Sequence, residues 1–426
     1  MNDKKQIKEY RGSKAGLAII LVTSLFFVWG LTMNLVNALY APMGNYMRLS
    51  NTETSLLQVA YFGAYFFLSI PASIISRKFG YKGGIMTGLV LFIIGSLLTI
   101  PATNSMSYTL FLLAMFVIAC GSATLETNCN PYITKLGDPE NESMRINLAQ
   151  SFNGVGNIVG PVILGNIIGQ TINYGEPGFE EAKLEFLSNT KGIYIVIAIA
   201  LIAVIAVFFF ANLPSPPGDD EEKVRDEKTG EIISRLMSRT HFVLGIIAEF
   251  IFIGLQVGGM ALFSSYAVSS WEGMTSGTAT KYLAVLSLLF TIGRFVTTPL
   301  MKKFEAGKIL GVYMTTSAIC MVTVGLGLGK LSVILFMGAY LFISIGFPTI
   351  FSLALTDIKG NDAKTGSSML VMSIVGAAII PLIMSAVGDK LGIQAAMWLT
   401  VPGFLYCAWY GFKGSKKNLE VQNEKN

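Results

Sequence analysis

Long apolar runs alternate with short polar connections along almost the whole chain. Each run approaches the roughly 20 apolar residues that an α-helix needs to cross the hydrocarbon core of a bilayer. The sequence therefore predicts an all-α polytopic membrane protein with twelve spans, numbered here in chain order. The predicted spans are 16–40, 55–76, 83–101, 107–136, 146–172, 192–213, 242–267, 277–299, 309–328, 331–355, 366–387 and 394–412.

A charged stretch with prolines and a glycine, SPPGDDEEKVRDEKTGEIISRLMSRT, separates the first six spans from the last six. It is typical of a solvated linker. A weak repeat relates the two sides, since Pro131 in span 4 and Pro348 in span 10 lie 217 residues apart. Two related halves around a central cavity are the plan of many secondary transporters. The predicted regions are an N-terminal half (1–213), a cytoplasmic linker (214–241) and a C-terminal half with a tail (242–426).

Composition and charge support this interpretation and orient the chain. Hydrophobic residues make up 52% of the chain and charged residues only 13%, against about 25% charged in soluble proteins. The chain has 31 lysines and arginines, and alternating spans assign each loop to one side of the membrane. The side that holds the N-terminus carries 24 of them, in its loops and in the two tails, and the opposite side carries six; Arg294 lies inside span 8. Basic loops stay in the cytoplasm. We expect a multi-pass protein of the inner (plasma) membrane with both termini cytoplasmic.

The residue inventory argues against several functions. The four cysteines are scattered and His241 is the only histidine, so no metal site, disulfide framework or histidine-based catalytic triad is expected. No phosphate-cradling GxxxxGK[ST] motif is present, which argues against ATP-driven transport. The net charge of +5 is explained by loop lysines, so no nucleic-acid partner is expected. No cofactor is expected, and an enzyme or membrane sensor without transport has no motif in its favour.

The most unusual position is Glu126, a carboxyl group within span 4 and shortly before Pro131. A carboxyl at bilayer depth marks a substrate or ion pathway by default, and the proline loosens the backbone beside it. The alternative is a carboxyl that caps a neighbouring helix or reaches the membrane interface. We interpret Glu126 as the centre of a polar binding site.

Amide side chains accompany Glu126 in the first half. Asn34 and Asn37 share a face of span 1, while Gln150 and Asn153 form a stripe with Asn157 in span 5. Amides both donate and accept hydrogen bonds, as a ligand covered with hydroxyls requires. The stripe could instead join helices to each other. Trp29 in span 1 could stack on a sugar face or anchor the helix at the interface.

Two further charges lie inside spans of the second half. Glu249 in span 7 and Arg294 in span 8 are at similar shallow depth from the cytoplasmic side. A lone charge there would be costly, so we predict an ion pair with a gating or structural role. Gln256 follows Glu249 by seven residues and shares its helix face.

Several motifs resemble one transporter family. The run LETNCNPYITKLGDPENESMRINLAQSFNGVG in spans 4 and 5, the opening LFFVWGLTMNLVNAL, and RKFGYKGGIMTGLVLFIIGSLL around span 3 are similar to the fucose–galactose–glucose:proton symporters of the major facilitator superfamily. The L-fucose permeases are the most similar. The resemblance implies twelve helices in two six-helix halves, and import of a monosaccharide (L-fucose or a related hexose) with protons by alternating access. It also implies a monomer in the lipid bilayer.

The resemblance also assigns roles to individual residues. Glu126 takes the place of the family's essential span 4 carboxylate, which is implied to contact sugar and to couple protons. The family's span 1 aspartate falls on Asn37, whose amide cannot take up and release a proton. An uncoupled facilitator or a sodium-coupled sugar porter therefore remains open as an alternative. The expected sugar-binding residues are Trp29, Asn34, Asn37, Glu126, Gln150, Asn153 and Gln256.

Overall fold

The computed structural model describes residues 13–38, 40–49, 51–168, 172, 174–216 and 227–417, and these residues form helices and connections without a β-strand. The twelve spans follow the predicted order. Their helices are Ser13–Ala38 (span 1), Asn51–Asn104 (spans 2 and 3), Tyr108–Lys135 (span 4), Glu142–Ile168 (span 5), Phe179–Phe210 (span 6), Thr240–Ser270 (span 7), Ser276–Thr297 (span 8), Ala306–Leu326 (span 9), Lys330–Ile343 with Gly346–Ala354 (span 10), Gly360–Met372 with Gly376–Leu391 (span 11), and Ile393–Trp398 with Thr400–Phe412 (span 12).

Nine segments of the described chain are long and apolar enough to cross a membrane. One of them, Val59–Asn104, carries both span 2 and span 3, and spans 5 and 12 complete the twelve. Many large apolar side chains lie on the outside, for example Phe210 at 81% exposure. Such a surface suits lipid rather than water.

The chain forms two compact units. The first contains Met1–Leu136 and Phe152–Val224, and the second contains Gly137–Ser151 and Arg225–Asn426. The cytoplasmic linker predicted at 214–241 is thereby divided at residue 224, and span 5 contributes residues to both units.

Gly80 separates span 2 from span 3 within the helix Asn51–Asn104. Its backbone has φ 73° and ψ 174°, a conformation that glycine adopts without the steric cost that other residues meet. Two residues later, Lys82 donates to the backbone carbonyls of Phe209 and Ala211 at 2.9 and 2.8 Å. These carbonyls lie at the end of span 6, where a helix leaves acceptors without internal partners.

Span 6 begins at Phe179, thirteen residues before the predicted start at 192. The added turns carry several charged residues, which hide the helix from a pattern based on apolar runs. They nevertheless bury Phe186 and Leu187. The helix therefore extends beyond its apolar part, because a surface helix needs only one apolar face.

Part of the linker is folded rather than solvated throughout. Thr229–Met237 is a helix whose Ile232 and Leu236 are fully buried. The Arg235 guanidinium bridges the carboxylates of Glu227 and Asp362. Apolar residues four apart make an amphipathic stripe, a signal that the high charge of the linker concealed.

Glycines bring span 3 against span 4 in the first unit. A Cβ atom added at Gly121 would lie 2.6 Å from the backbone nitrogen of Phe92 and 2.8 Å from the carbonyl oxygen of Gly88. Backbone atoms in two helices cannot move aside as a flexible side chain can. The approach of the two helices therefore requires glycine at position 121.

We expect Gly121→Ala to destabilise the protein. Forcing a methyl group into a filled contact costs about 1–3 kcal/mol, so purified protein in detergent should unfold several degrees earlier in a thermal melt. Gly63→Ala is the matched control, because a Cβ at Gly63 meets nothing within 4 Å. Equal melting temperatures for the two variants would contradict the tight contact of spans 3 and 4.

Candidate functional site

Glu126 lies inside span 4, in its second half, and is almost completely buried. Only 6% of its surface is exposed, and every residue from Ile118 to Thr134 is buried with it. Pro131 lies inside the same helix, five residues later, where it cannot donate a backbone hydrogen bond. A buried carboxyl needs hydrogen-bonding partners or must be neutral, so its surroundings decide its chemistry.

Hydroxyl groups of span 2 provide those surroundings. The side chain of Tyr65 is hydrogen-bonded to Glu126, and the Tyr65 hydroxyl oxygen lies 2.9 Å from that of Tyr61. The Tyr61 hydroxyl in turn donates to the sulfur of Met33 in span 1 at 2.8 Å. These contacts lie within the first unit and link spans 1, 2 and 4 at the carboxyl.

These partners of Glu126 are not evident from the sequence. Tyr61 and Tyr65 look like ordinary packing aromatics in an apolar helix, and Met33 looks like a core residue. One signal was available: the tyrosines are four residues apart in YFGAY, hence on one helix face. A buried tyrosine hydroxyl normally finds a polar partner, and Glu126 was the carboxyl available to it.

Asn128 is turned away from this group. Its amide nitrogen donates to the Thr124 carbonyl at 2.7 Å, and a Cβ added at Gly84 of span 3 would overlap the Asn128 amide. Asn128 therefore fills the contact between spans 3 and 4.

The amides of spans 1 and 5 contact one another. Polar atoms of Asn34 and Asn157 are 2.6 Å apart, and those of Asn157 and Asn153 are 3.3 Å apart. The Asn153 amide also donates to the Phe26 carbonyl at 3.2 Å. In the first unit these amides therefore connect span 1 to span 5, as the alternative interpretation of the stripe expects. A ligand that bound Asn34 or Asn153 would compete with these existing hydrogen bonds. The side chain of Asn37 lies outside the described residues.

Two predicted sugar ligands hold polar atoms that are buried and lack a hydrogen-bond partner in the described part of the chain. They are Nε1 of Trp29 and Oε1 of Gln256. Trp29 is 5% exposed, and the backbone carbonyl of Gln256 accepts from the Tyr340 hydroxyl at 2.6 Å. An unsatisfied buried polar atom costs about 1–3 kcal/mol, so each marks a place where a ligand or water would be stabilised.

Arg294 is buried in the second unit and binds backbone oxygens. Its Nε donates to the Ser344 carbonyl at 2.8 Å and its Nη1 to the Gln150 carbonyl at 2.7 Å. The guanidinium also lies 4.6 Å from the centre of the Phe290 ring. Ser344 follows the last residue of the first helix of span 10. At this end a helix has carbonyl groups without internal donors and the negative end of its dipole, so a cationic donor is stabilising there.

Glu249 is fully buried in span 7 and lies near Cys407 and Tyr410 of span 12. Its ion pair with Arg294 stays a prediction. The Arg294 contacts to Ser344 and Gln150 were not expected from the sequence. The break in span 10 that frees the Ser344 carbonyl leaves no mark in the apolar pattern of that span.

Known proteins provide an independent comparison. A family model described as Major Facilitator Superfamily matches residues 21–369. The L-fucose-proton symporter of Escherichia coli (strain K12) is 34% identical over 382 residues, which cover 87% of this chain and 87% of that protein. The glucose/galactose transporter of Brucella abortus biovar 1 is 34% identical over 402 residues, which cover 94% of this chain and 95% of that protein.

Solved structures agree with these sequence matches. The crystal structure of a Major Facilitator Superfamily transporter, FucP, in the outward conformation matches with a TM-score of 0.86 at 30% identity. The match covers 93% of this chain and 98% of that chain. A proton:xylose symporter, XylE, matches with a TM-score of 0.67 at 14% identity over 95% of this chain and 96% of that chain. This more distant match supports the fold alone.

Proposed function

The chain belongs to the Major Facilitator Superfamily, and we propose that it imports a monosaccharide together with protons by alternating access. The observation that carries the proposal is the Glu126 carboxyl, which is buried inside a membrane span and bonded to a tyrosine side chain. Relatives named as an L-fucose-proton symporter and a glucose/galactose transporter support L-fucose or a related hexose as the substrate.

Membership of this superfamily confirms two predictions. The all-α fold with twelve spans is the major facilitator fold, and the resemblance to the fucose–galactose–glucose:proton symporters is matched by the relatives. These relatives are transporters, so the chain is a transporter and not an enzyme.

Glu126 is the proposed proton carrier. An empty, ionised carboxylate is costly to carry through an apolar interior, whereas protonation and sugar binding together remove that cost. The carboxyl would take a proton and sugar from one side and release both on the other. Since Asn37 occupies the span 1 position of the family's aspartate, Glu126 would carry most of the coupling.

The sugar would be held by groups with unused or exchangeable hydrogen bonds. Trp29 would donate from Nε1 and offer its ring to an apolar sugar face, while Gln256 would accept through Oε1. Asn34 and Asn153, whose amides both contact the Asn157 amide, would add sugar contacts by exchange. Asn37, Glu126 and Gln150 complete the proposed set.

The excess of lysine and arginine on one side supports cytoplasmic termini in the inner (plasma) membrane. We infer a monomer in the lipid bilayer, driven by protons rather than sodium. The regions 1–213 and 242–426 would move as two halves joined by the linker 214–241, and Glu249 with Arg294 would form a cytoplasmic gate pair.

Uptake into proteoliposomes tests this proposal. Labelled L-fucose should accumulate when the outside is more acidic, and a protonophore should abolish accumulation while replacement of sodium should not. Unlabelled L-fucose, D-galactose, D-glucose and an amino sugar, added as competitors, would rank the substrates. Equilibration without accumulation would favour a facilitator, and a requirement for sodium would favour a sodium-coupled porter.

We expect Trp29→Phe to weaken sugar binding. The variant keeps an aromatic ring but loses Nε1–H, and the loss of one hydrogen bond of about 1 kcal/mol should raise KM for the preferred sugar roughly fivefold. The maximal rate should change little, because the bond is made in every sugar-bound state. Trp409→Phe is the matched control, since that ring packs at a tilt against Tyr406. Equal KM values in both variants would exclude Trp29 as a sugar ligand.

A further inference from the structure

We propose that Tyr65 and Tyr61 are positioning residues for Glu126, forming a hydroxyl chain that reverses direction when the carboxyl gains or loses its proton. The inference rests on the proposed function, because it concerns how the proton carrier is stabilised in both of its states. It adds two span 2 residues to the coupling machinery.

The chain has four members in a row. Glu126 is bonded to Tyr65, the hydroxyl oxygens of Tyr65 and Tyr61 are 2.9 Å apart, and Tyr61 lies 2.8 Å from the Met33 sulfur. Both tyrosines are at most 5% exposed. Since water has little access to these hydroxyls, their hydrogen-bond directions depend on one another.

When Glu126 is protonated, the chain has one consistent direction. The carboxylic acid donates to Tyr65, Tyr65 donates to Tyr61, and Tyr61 donates to Met33. A thioether sulfur can only accept, so Met33 is a suitable end for a chain running in this direction. The Tyr61 bond to Met33 in the structure has the geometry that this direction requires.

When Glu126 is ionised, the carboxylate can only accept, and the chain must reverse. Tyr65 then donates to Glu126, and Tyr61 donates to Tyr65. The reversal removes the Tyr61 bond to Met33, but a thioether is a weak acceptor and the Ser122 hydroxyl still lies 3.0 Å from its sulfur. Because the lost bond to the Met33 sulfur is weak, the reversal costs little free energy.

No tyrosine loses its proton in this scheme. The proton enters and leaves at the Glu126 carboxyl, and each phenol only rotates about its C–O bond. Titratable side chains that interact with Glu126 include Tyr65 of span 2 and Cys129 of its own helix, with Tyr61 behind Tyr65. Cys129 is fully buried.

The two tyrosines make opposite predictions for the pH profile of sugar uptake. Tyr65→Phe removes one hydrogen-bond donor to the carboxylate, and a charge-assisted bond is stronger than the bond that the neutral acid loses. The substitution therefore destabilises the ionised state of Glu126 more than the protonated state. The external pH at half-maximal uptake should move about one unit toward alkaline values.

Tyr61→Phe should move the same midpoint toward acidic values. Tyr65 can still donate to an ionised Glu126, but when Glu126 is protonated the Tyr65 hydroxyl loses its acceptor. The substitution therefore destabilises the protonated state of Glu126 more than the ionised state. The expected shift of the midpoint is a few tenths of a pH unit. A purely structural role would not produce shifts of opposite sign.

The experiment measures initial uptake of L-fucose against external pH in proteoliposomes of equal protein content, at fixed internal pH. Tyr194→Phe is the matched control, because Tyr194 is also buried in the first unit and contacts a methionine sulfur, at 3.8 Å. In the Glu126→Gln background, both tyrosine variants should leave sugar exchange independent of pH. If Tyr65→Phe does not reach the membrane, the Tyr61→Phe variant alone decides. An acidic shift of its midpoint supports the inference, and an alkaline shift contradicts it.

Opposite shifts support the inference, and shifts of equal sign or no larger than that of Tyr194→Phe overturn it. The failure of the proposed function looks different, because the wild-type protein would then show no accumulation of sugar in response to a pH gradient. In that case the tyrosine variants are compared through the pH dependence of sugar exchange, with the same outcomes.

Discussion

Glu126→Gln should abolish accumulation of sugar driven by a pH gradient while sparing exchange of labelled for unlabelled sugar. An amide keeps the size and hydrogen bonding of a carboxylic acid but cannot release a proton. With one proton per sugar, the wild-type protein can accumulate sugar about tenfold per unit of pH difference. The variant should reach only equal concentrations inside and outside. Uptake and counterflow in the same proteoliposomes measure the two activities.

A glutamate outside the spans provides the control for this variant. Glu305 lies between spans 8 and 9, where Lys416 approaches it to 2.7 Å and Lys308 to 3.4 Å. Lys416, followed by Lys308, lowers the pKa of Glu305. Glu305→Gln should transport normally, since the side chain is 42% exposed. Accumulation by Glu126→Gln with the pH dependence of the wild type would refute the coupling role of Glu126.

Arg294→Met should cause the largest loss of stability among the substitutions considered. Arg294 joins spans 5, 8 and 10 through the Gln150 and Ser344 carbonyls, and methionine leaves both acceptors without this donor in an apolar interior. Hydrogen bonds to a charged group contribute about 1.5–3 kcal/mol each, so we expect a loss of about 3 kcal/mol or more. Thermal melts in detergent, together with the amount of protein in the membrane, measure it.

Arg294→Lys separates charge from geometry. Lysine keeps the positive charge but lacks the planar fork that reaches two carbonyls in different directions, so it should recover only part of the lost stability. Full recovery would show that charge alone matters. A double-mutant cycle with Glu249→Gln then tests the predicted ion pair: additive losses exclude a direct interaction, whereas a coupling of about 0.5–3 kcal/mol supports it.

The candidate site was only partly predictable from the chain. Glu126 stands out because a carboxyl in an apolar run is expensive wherever the run folds. Tyr61 and Tyr65 do not stand out, because a tyrosine is common in membrane helices and gains meaning only from its neighbour on another helix. Asn34, Asn153 and Asn157 left two interpretations open, and only their distances show that they bond to each other.

The sequence by itself determined the twelve spans, their order and the presence of a carboxyl group, Glu126, inside an apolar span. These follow from local composition, because a bilayer requires long apolar helices and penalises every buried charge. Tertiary structure alone decided which groups meet: Tyr65 at Glu126, Asn128 against Gly84, and Arg294 at the break in span 10. The physical reason is that hydrogen-bond partners on different helices depend on helix rotation and depth, which an apolar pattern does not record.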